Sequence, residues 1–196
     1  MRNQAARTTF VGSFPDELPQ LGLPEVAFAG RSNVGKSSCL NKLLNRKGAA
    51  RVSSRPGRTQ AINLFRIGES GVFADLPGYG YAKVPAHVQD AWKGMIEGYL
   101  SSREALRLVV ILVDARREPQ EMDGMLLYAL VESGIPGLVV ATKVDKLKRN
   151  ERARRLAALR REFRLPAEQP LPFSSVTGEG RDALWSRIER ACARQR

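Results

Sequence analysis

The sequence predicts an α/β domain: a mostly parallel six-stranded sheet with one antiparallel edge strand and helices on both faces. Three observations carry this. Short apolar runs alternate with longer amphipathic segments along the 196 residues. Glycine, proline and polar clusters punctuate the alternation. Four short polar or glycine-rich motifs each follow directly on an apolar run, and in open parallel sheets ligands gather beyond the carboxyl ends of the strands.

Residues 1–24 are expected to form an N-terminal extension packed on the domain, with Leu18-Pro19 and Leu23-Pro24 as breakers, and residues 25–196 a single domain with basic C-terminal helices. Val26 to Ala29 reads as a buried strand and Lys36 to Leu44 as the helix that follows it. Arg46 to Thr59 is polar and basic, contains Pro56-Gly57, and reads as a loop. Ala61 to Ile67 and Gly71 to Ala74 read as two strands joined by the Gly68-Glu69-Ser70-Gly71 turn. Gly78-Tyr79-Gly80-Tyr81 is a glycine-rich loop. Pro85 to Ser101 reads as a helix, with Pro85 in the first turn, where a missing N–H costs nothing. Leu108 to Val113 and Gly137 to Ala141 are continuous apolar runs and read as buried strands on either side of a helix from Gln120 to Ser133. Leu147 to Arg164 is a strongly basic helix whose Leu156, Leu159 and Phe163 recur at helical spacing, so one face docks on the sheet. Leu171 to Ser174 is the last strand and Gly180 to Arg194 the last helix.

Composition excludes several classes of function. Hydrophobic residues make up 43% and charged residues 27%, as in a soluble globule. No stretch approaches 18 uncharged apolar residues, and the N-terminal segment has no apolar core of the kind a secretory signal needs. Two cysteines, Cys39 and Cys192, build neither a disulfide framework nor a four-thiolate zinc site. A reducing, cytoplasmic location is expected. His87 is the only histidine, so no His-rich metal site is expected. Arg2 and the position of Cys192 argue against lipidation, so no membrane anchor is expected. Trp92 and Trp185 read as packing residues. A monomer is the expected state.

Charge gives the first positive hint. Lys and Arg number 32 against 20 acids, a net +12, and 24 of the 32 are arginine. Such a chain attracts polyanions, and arginine makes bidentate phosphate contacts. RNA is the leading partner class, with genome composition and solubility as the alternative source of the charge. Nine bases against two acids, Glu151 and Glu162, lie between Lys146 and Arg164.

Gly30-Arg31-Ser32-Asn33-Val34-Gly35-Lys36-Ser37 matches G-x-x-x-x-G-K-[ST] and stands between a strand and a helix, the context the motif requires. Its glycines let backbone N–H groups curl around a phosphate. Lys36 adds charge at the β- and γ-phosphates, the helix N-terminus adds its positive end, and Ser37 is placed to ligate Mg²⁺. Asp75-Leu76-Pro77-Gly78 ends a strand; Asp75 can hold Mg²⁺ through water, and the Gly78 amide can meet a γ-phosphate. Thr142-Lys143-Val144-Asp145 follows another strand. Asp145 can accept two hydrogen bonds from a base that offers N1–H and an exocyclic amine, which guanine does and adenine does not. The stem of Lys143 can lie on the base face. Phe173-Ser174-Ser175-Val176 ends the last strand with amides available for a carbonyl such as guanine O6. Taken singly, the last three motifs also read as a plain turn, a strand-to-helix cap and a serine-rich turn.

In this order the four motifs resemble those of a TRAFAC-class GTPase, a P-loop NTPase (G domain). More narrowly, "EVAFAGRSNVGKSS", "RPGRTQAINLF", "DLPGYGYAKVP", "ATKVDK" and "FSSVTGEG" resemble the EngB (YihA/YsxC) family of bacterial GTPases, over nearly the whole chain from about Phe10. The resemblance implies GTP hydrolysis to GDP and phosphate by a Mg²⁺-dependent switch. It implies that Thr59 completes the Mg²⁺ shell, and that Lys36, Thr59 and Gly78 serve catalysis. Ser38, Gly57, Arg58, Gln60 and Ala61 would join the nucleotide contacts, with residues 46–59 and 78–85 as the two switches. Asn33 matches the asparagine that in related GTPases helps hold K⁺. The family is implicated in assembly of the large ribosomal subunit and linked to normal cell division and septation, so rRNA or the large subunit is the implied partner. Where Ras-like enzymes carry a water-orienting glutamine, this chain has Tyr79, which predicts slow intrinsic hydrolysis. Arg58 could serve as a cis arginine, although a solvated loop charge is the plainer reading. Two other functions stay open at this point: a nucleotide-regulated interaction protein of the division machinery, and a P-loop ATPase or nucleotide kinase, with which Asp145 conflicts.

Overall fold

A computed structural model describes residues 1–46, 48, 61–80 and 86–193. Seven strands form one sheet: β1 (Thr8–Phe14), β2 (Glu25–Gly30), β3 (Ile62–Ile67), β4 (Gly71–Asp75), β5 (Leu106–Asp114), β6 (Gly137–Thr142) and β7 (Leu171–Pro172), in the order β1-β3-β4-β2-β5-β6-β7. Among the described residues five α-helices join them: α1 (Lys36–Leu44), α2 (Ala86–Ser102), α3 (Glu121–Glu132), α4 (Arg149–Glu162) and α5 (Arg181–Ala193). The α/β class holds, and the five strands from β4 to β7 run parallel.

The strand count and the edge differ from expectation. Seven strands are present rather than six, because part of the N-terminal segment is itself a strand. β1 pairs antiparallel with β3, and β3 antiparallel with β4, so β3 is the one reversed strand and sits second from the edge. β1 escapes detection because Thr-Thr-Phe-Val-Gly-Ser-Phe carries no continuous apolar run; most of it is solvent-facing. The register slips between Phe10 and Gly12, an irregularity that discourages pairing with another chain at a free edge. β7 is shorter than predicted: after Phe173 donates to the Ala141 carbonyl at 2.8 Å, Ser174 turns away to Glu179.

Alternation along the central strands sorts the core into two layers. Ala27, Ala29, Val109, Ile111 and Val139 face α2, α3 and α4, where Trp92, Ile96, Leu126, Leu130 and Leu159 meet them. Val26, Phe28, Leu108, Val110 and Val140 face α1 and α5, where Leu40, Leu43, Leu184, Trp185 and Ile188 close the other side. Both tryptophans are buried packing residues, as expected, and Trp185 packs on Phe73. Leu156 and Phe163 flank buried Leu159, so the predicted phase of α4 is the observed one. Cys39 is buried in the second layer, which pushes its thiol pKa up and leaves it inert.

At the amino end of β2, Glu25 is 1% exposed and needs compensation. Arg103 donates to both its oxygens, at 3.0 and 2.8 Å, and Tyr99 donates at 2.5 Å. The same guanidinium reaches the Pro19 carbonyl at 2.9 Å, which ties the segment before β2 to the end of α2. No helix among the described residues is long and apolar enough to cross a membrane.

Candidate nucleotide-binding site

The loop from Gly30 to Gly35 leaves β2 and enters α1 through backbone that only small residues take easily. Gly30 has φ +156° and Gly35 φ +108°. A Cβ on Gly30 would lie 2.7 Å from the Leu112 carbonyl, so the loop passes against β5 at a distance that excludes any side chain. Val34 closes the turn, donating to Arg31 O at 3.1 Å, and its side chain is buried. Lys36 opens α1, with Ser37 partly buried beside it and Ser38 exposed. Its ammonium pairs with the Asp75 carboxylate at the end of β4, and both groups are largely withdrawn from solvent. The lysine and aspartate predicted to face one phosphate-and-metal region therefore touch.

Beyond Asp75 the chain stays close to the same loop. Leu76 is in the core, and its N–H donates to Phe28 O at 3.0 Å. The Pro77 carbonyl accepts from the Trp92 indole at 2.9 Å. Ser32 donates to Tyr79 O at 2.9 Å, and a Cβ on Gly78 would come within 3.1 Å of Ser32 Oγ. Tyr79 does not face this cleft: its side chain is 3% exposed, packs edge-on against Trp92, and donates to Asp123 on α3 at 2.5 Å. Burial, with the Asp123 carboxylate beside it, pushes the phenol pKa well up, so Tyr79 stays a donor.

The segment that carries Asp145 is tied to the Gly30–Gly35 loop through Lys143. This residue has φ +60°, and its ammonium donates to the Asn33 carbonyl at 2.6 Å and to Asp114 Oδ2 at 3.0 Å. Thr142 Oγ1 donates to Val34 O at 2.7 Å. Asp114 was not singled out from the sequence, although it ends the run Leu106–Val113. Burial alone raises its carboxyl, but hydrogen bonds from Arg116 and Lys143 outweigh that and hold its pKa at about 2. It remains a carboxylate across the physiological range and anchors Lys143 over the loop.

Asp145 lies two residues on, in the single turn Val144–Lys146. Ser174 Oγ donates to its Oδ1 at 2.7 Å and itself accepts from the N–H groups of Val176 and Thr177 at 3.2 and 3.1 Å. Ser175 is partly buried and Val176 exposed. Val144 and Phe173 put their side chains in the core, as Val34 and Leu76 do, so any ligand contact from these four comes from backbone. Ala61 precedes β3 and is partly buried. Gly57, Arg58, Thr59 and Gln60 lie outside the described residues, as do Tyr81 to Pro85 and the side chain of His87. Among the described residues, no group of three or more His, Cys, Asp or Glu forms a self-sufficient metal cage.

Known proteins resemble this chain in sequence and in fold. Residues 25–143 match the family model described as "50S ribosome-binding GTPase". A probable GTP-binding protein EngB of Geobacter metallireducens is 50% identical over 189 residues, covering 96% of this chain and 93% of its own length. One of Exiguobacterium sibiricum is 49% identical, covering 91% and 93%. Among solved structures, a probable GTP-binding protein EngB superposes with a TM-score of 0.71 at 27% identity, over 86% of this chain and 98% of that one. The fold extends to Aquifex aeolicus Era bound to GDP and AlF4⁻, with a TM-score of 0.67 at 23% identity, over 89% of this chain and 58% of that one. With half of its residues shared along almost its full length, the chain belongs to the EngB family of GTP-binding proteins, and so to the GTPases.

Proposed function

We propose that this chain is a slow, Mg²⁺-dependent GTP switch that acts in assembly of the large ribosomal subunit and through it supports normal cell division and septation. The observation that carries the nucleotide half is the Lys143 bridge, which brings the loop of Lys36 and Asp75 against the loop of Asp145 and Ser174. In this reading the Gly30–Ser38 backbone and Lys36 grip the phosphates, Gly78 senses the terminal one, and Asp145 with residues 173–176 reads guanine. Mg²⁺ fits the donors present. Ser37 and Asp75 offer hard oxygens, and Mg²⁺ is commonly held by one or two carboxylates, water and substrate phosphates rather than by a protein cage. Thr59 would complete that shell. The metal would supply charge neutralisation at the phosphates. K⁺ beside Asn33 is part of the proposal, and turnover in KCl is expected to exceed that in equal NaCl; equal rates remove the ion from the account. Slow intrinsic turnover follows from Tyr79 standing where Ras-like enzymes have glutamine, and a cytoplasmic monomer is the expected form.

The ribosomal half rests on the family description and on charge. Arg152 and Arg155 turn to Glu179 and Glu118. Lys148, Arg149, Arg154, Arg160, Arg161 and Arg164 remain exposed along α4 and its ends. Such a row suits a phosphate backbone. Co-sedimentation with large ribosomal subunits, under GDP and under a non-hydrolysable GTP analogue, tests it. Binding in one nucleotide state is expected, and three phosphate contacts would weaken it on the order of twentyfold between 50 and 200 mM salt. Absence of binding in both states favours the alternative, a nucleotide-regulated protein of the division machinery.

A further inference from the structure

Behind the phosphate loop lies a buried polar cluster that neither phosphate nor base contacts explain. It joins three separate elements. Arg31, in the loop after β2, bridges to Tyr79 in strand fashion and donates to the Gly80 carbonyl at 3.1 Å. Tyr79 donates to Asp123 Oδ1 at 2.5 Å. Asp123, 3% exposed on α3, uses its other oxygen to accept from the Gln120 N–H at 3.0 Å, as the acid of a capping box. The carboxylate is thus fixed from one side by its own helix and offered on the other side to the phenol.

The segment it holds has little stiffness of its own. Tyr79 stands between two glycines, and Gly80 has φ +69°. Both pack closely on the phosphate loop: a Cβ on Gly80 would lie 2.8 Å from Arg31 Nε, and one on Gly78 3.1 Å from Ser32 Oγ. Among the described residues, Arg31 Nε and Ser32 Oγ are buried there without a hydrogen-bond partner. Something must hold a flexible Gly-Tyr-Gly segment in so tight a place. The only side chain within it is Tyr79, wedged against Trp92 and bonded to Asp123.

We propose that Tyr79 is a positioning residue for GTP hydrolysis: its bond to Asp123 latches residues 78–80 onto Arg31 and Ser32 and so fixes the Gly78 amide where the terminal phosphate arrives. The latch acts through the backbone, and the phenol never touches the nucleotide. It also makes α3 the element that sets the geometry of the segment after Asp75. The inference rests on the reading that Lys36, Gly78 and Asp145 surround one guanine nucleotide.

The test compares single-turnover GTP hydrolysis and equilibrium binding of GDP for the full chain, Tyr79→Phe, Asp123→Ala, the double variant, and Tyr99→Phe. Tyr79→Phe keeps the ring on Trp92, so the fold is retained. Tyr99→Phe removes a bond of the same kind, to buried Glu25 at the opposite end of the sheet, and controls for stability. Each latch variant is expected to hydrolyse about tenfold more slowly, the double variant no more slowly than the singles, with GDP affinity within about twofold of the parent. Tyr99→Phe is expected to hydrolyse at the parent rate. Parental speed in Tyr79→Phe overturns the latch, as does equal slowing in Tyr99→Phe. GDP binding by the parent reports on the site itself, and the ratio of variant to parent rates reports on the latch.

Discussion

Asp145→Asn is expected to weaken GDP binding by about 3 kcal/mol, on the order of a hundredfold. The carboxylate is acceptor-only, and its Oδ1 is already engaged by Ser174 Oγ at 2.7 Å, which orients the group. Guanine presents N1–H and an exocyclic amine to it. An asparagine keeps one acceptor and turns an amino group toward a donor, so one favourable bond becomes a clash of like partners. Xanthine carries a carbonyl where guanine carries the amine, and the variant is expected to prefer xanthosine diphosphate. Calorimetric titration with the two diphosphates measures this. Unchanged preference would remove Asp145 from base recognition.

Lys36→Ala is expected to lower GTP turnover on the order of a hundredfold or more, the scale of losing one preorganised charge at a transferring group. A second effect arises in the nucleotide-free chain. Lys36 pairs with Asp75 where both are largely buried, and removing it strands a carboxylate at a cost of about 3 kcal/mol. The two effects separate in the double variant Lys36→Ala/Asp75→Asn. Its melting temperature is expected to recover, while its turnover stays as low as that of the single variant. Recovery of turnover would mean that Lys36 serves only to neutralise Asp75. In the proposed reading the two side chains would mark the place of a phosphate and its metal before either arrives.

What the sequence made legible follows from local physics. The run Val26 to Ala29, then glycine, then an amphipathic segment, announces strand, loop and helix without tertiary help. The phase of Leu156, Leu159 and Phe163 announces which side of α4 is buried. Residues with two jobs were hidden. Asp123 caps the start of α3 with one oxygen, and nothing local in the sequence indicates that its second oxygen serves Tyr79 from 44 positions away. Asp114 reads as the polar end of an apolar run, because its role depends on Lys143 arriving from the next strand. Tyr79 was judged by the glutamine it stands in place of. An aromatic ring between two glycines is instead drawn inward, where Trp92 and Asp123 satisfy both its face and its hydroxyl. β1 stayed hidden because most of its residues face solvent, so it carries almost no alternating apolar signal.

The turn that bears Asp145 runs straight into α4: Leu147 and Lys148 are all that separate them. On the other side, α3 holds the segment after Asp75 through the Tyr79–Asp123 bond. In the proposed reading the guanine nucleotide would lie with its base beside the turn that leads into α4 and its last phosphate beside the segment that α3 holds. A polyanion gripping the arginines of α4 would then act on residence time and exchange, and pressure on α3 on bond cleavage, so that dwell and scission would have separate levers.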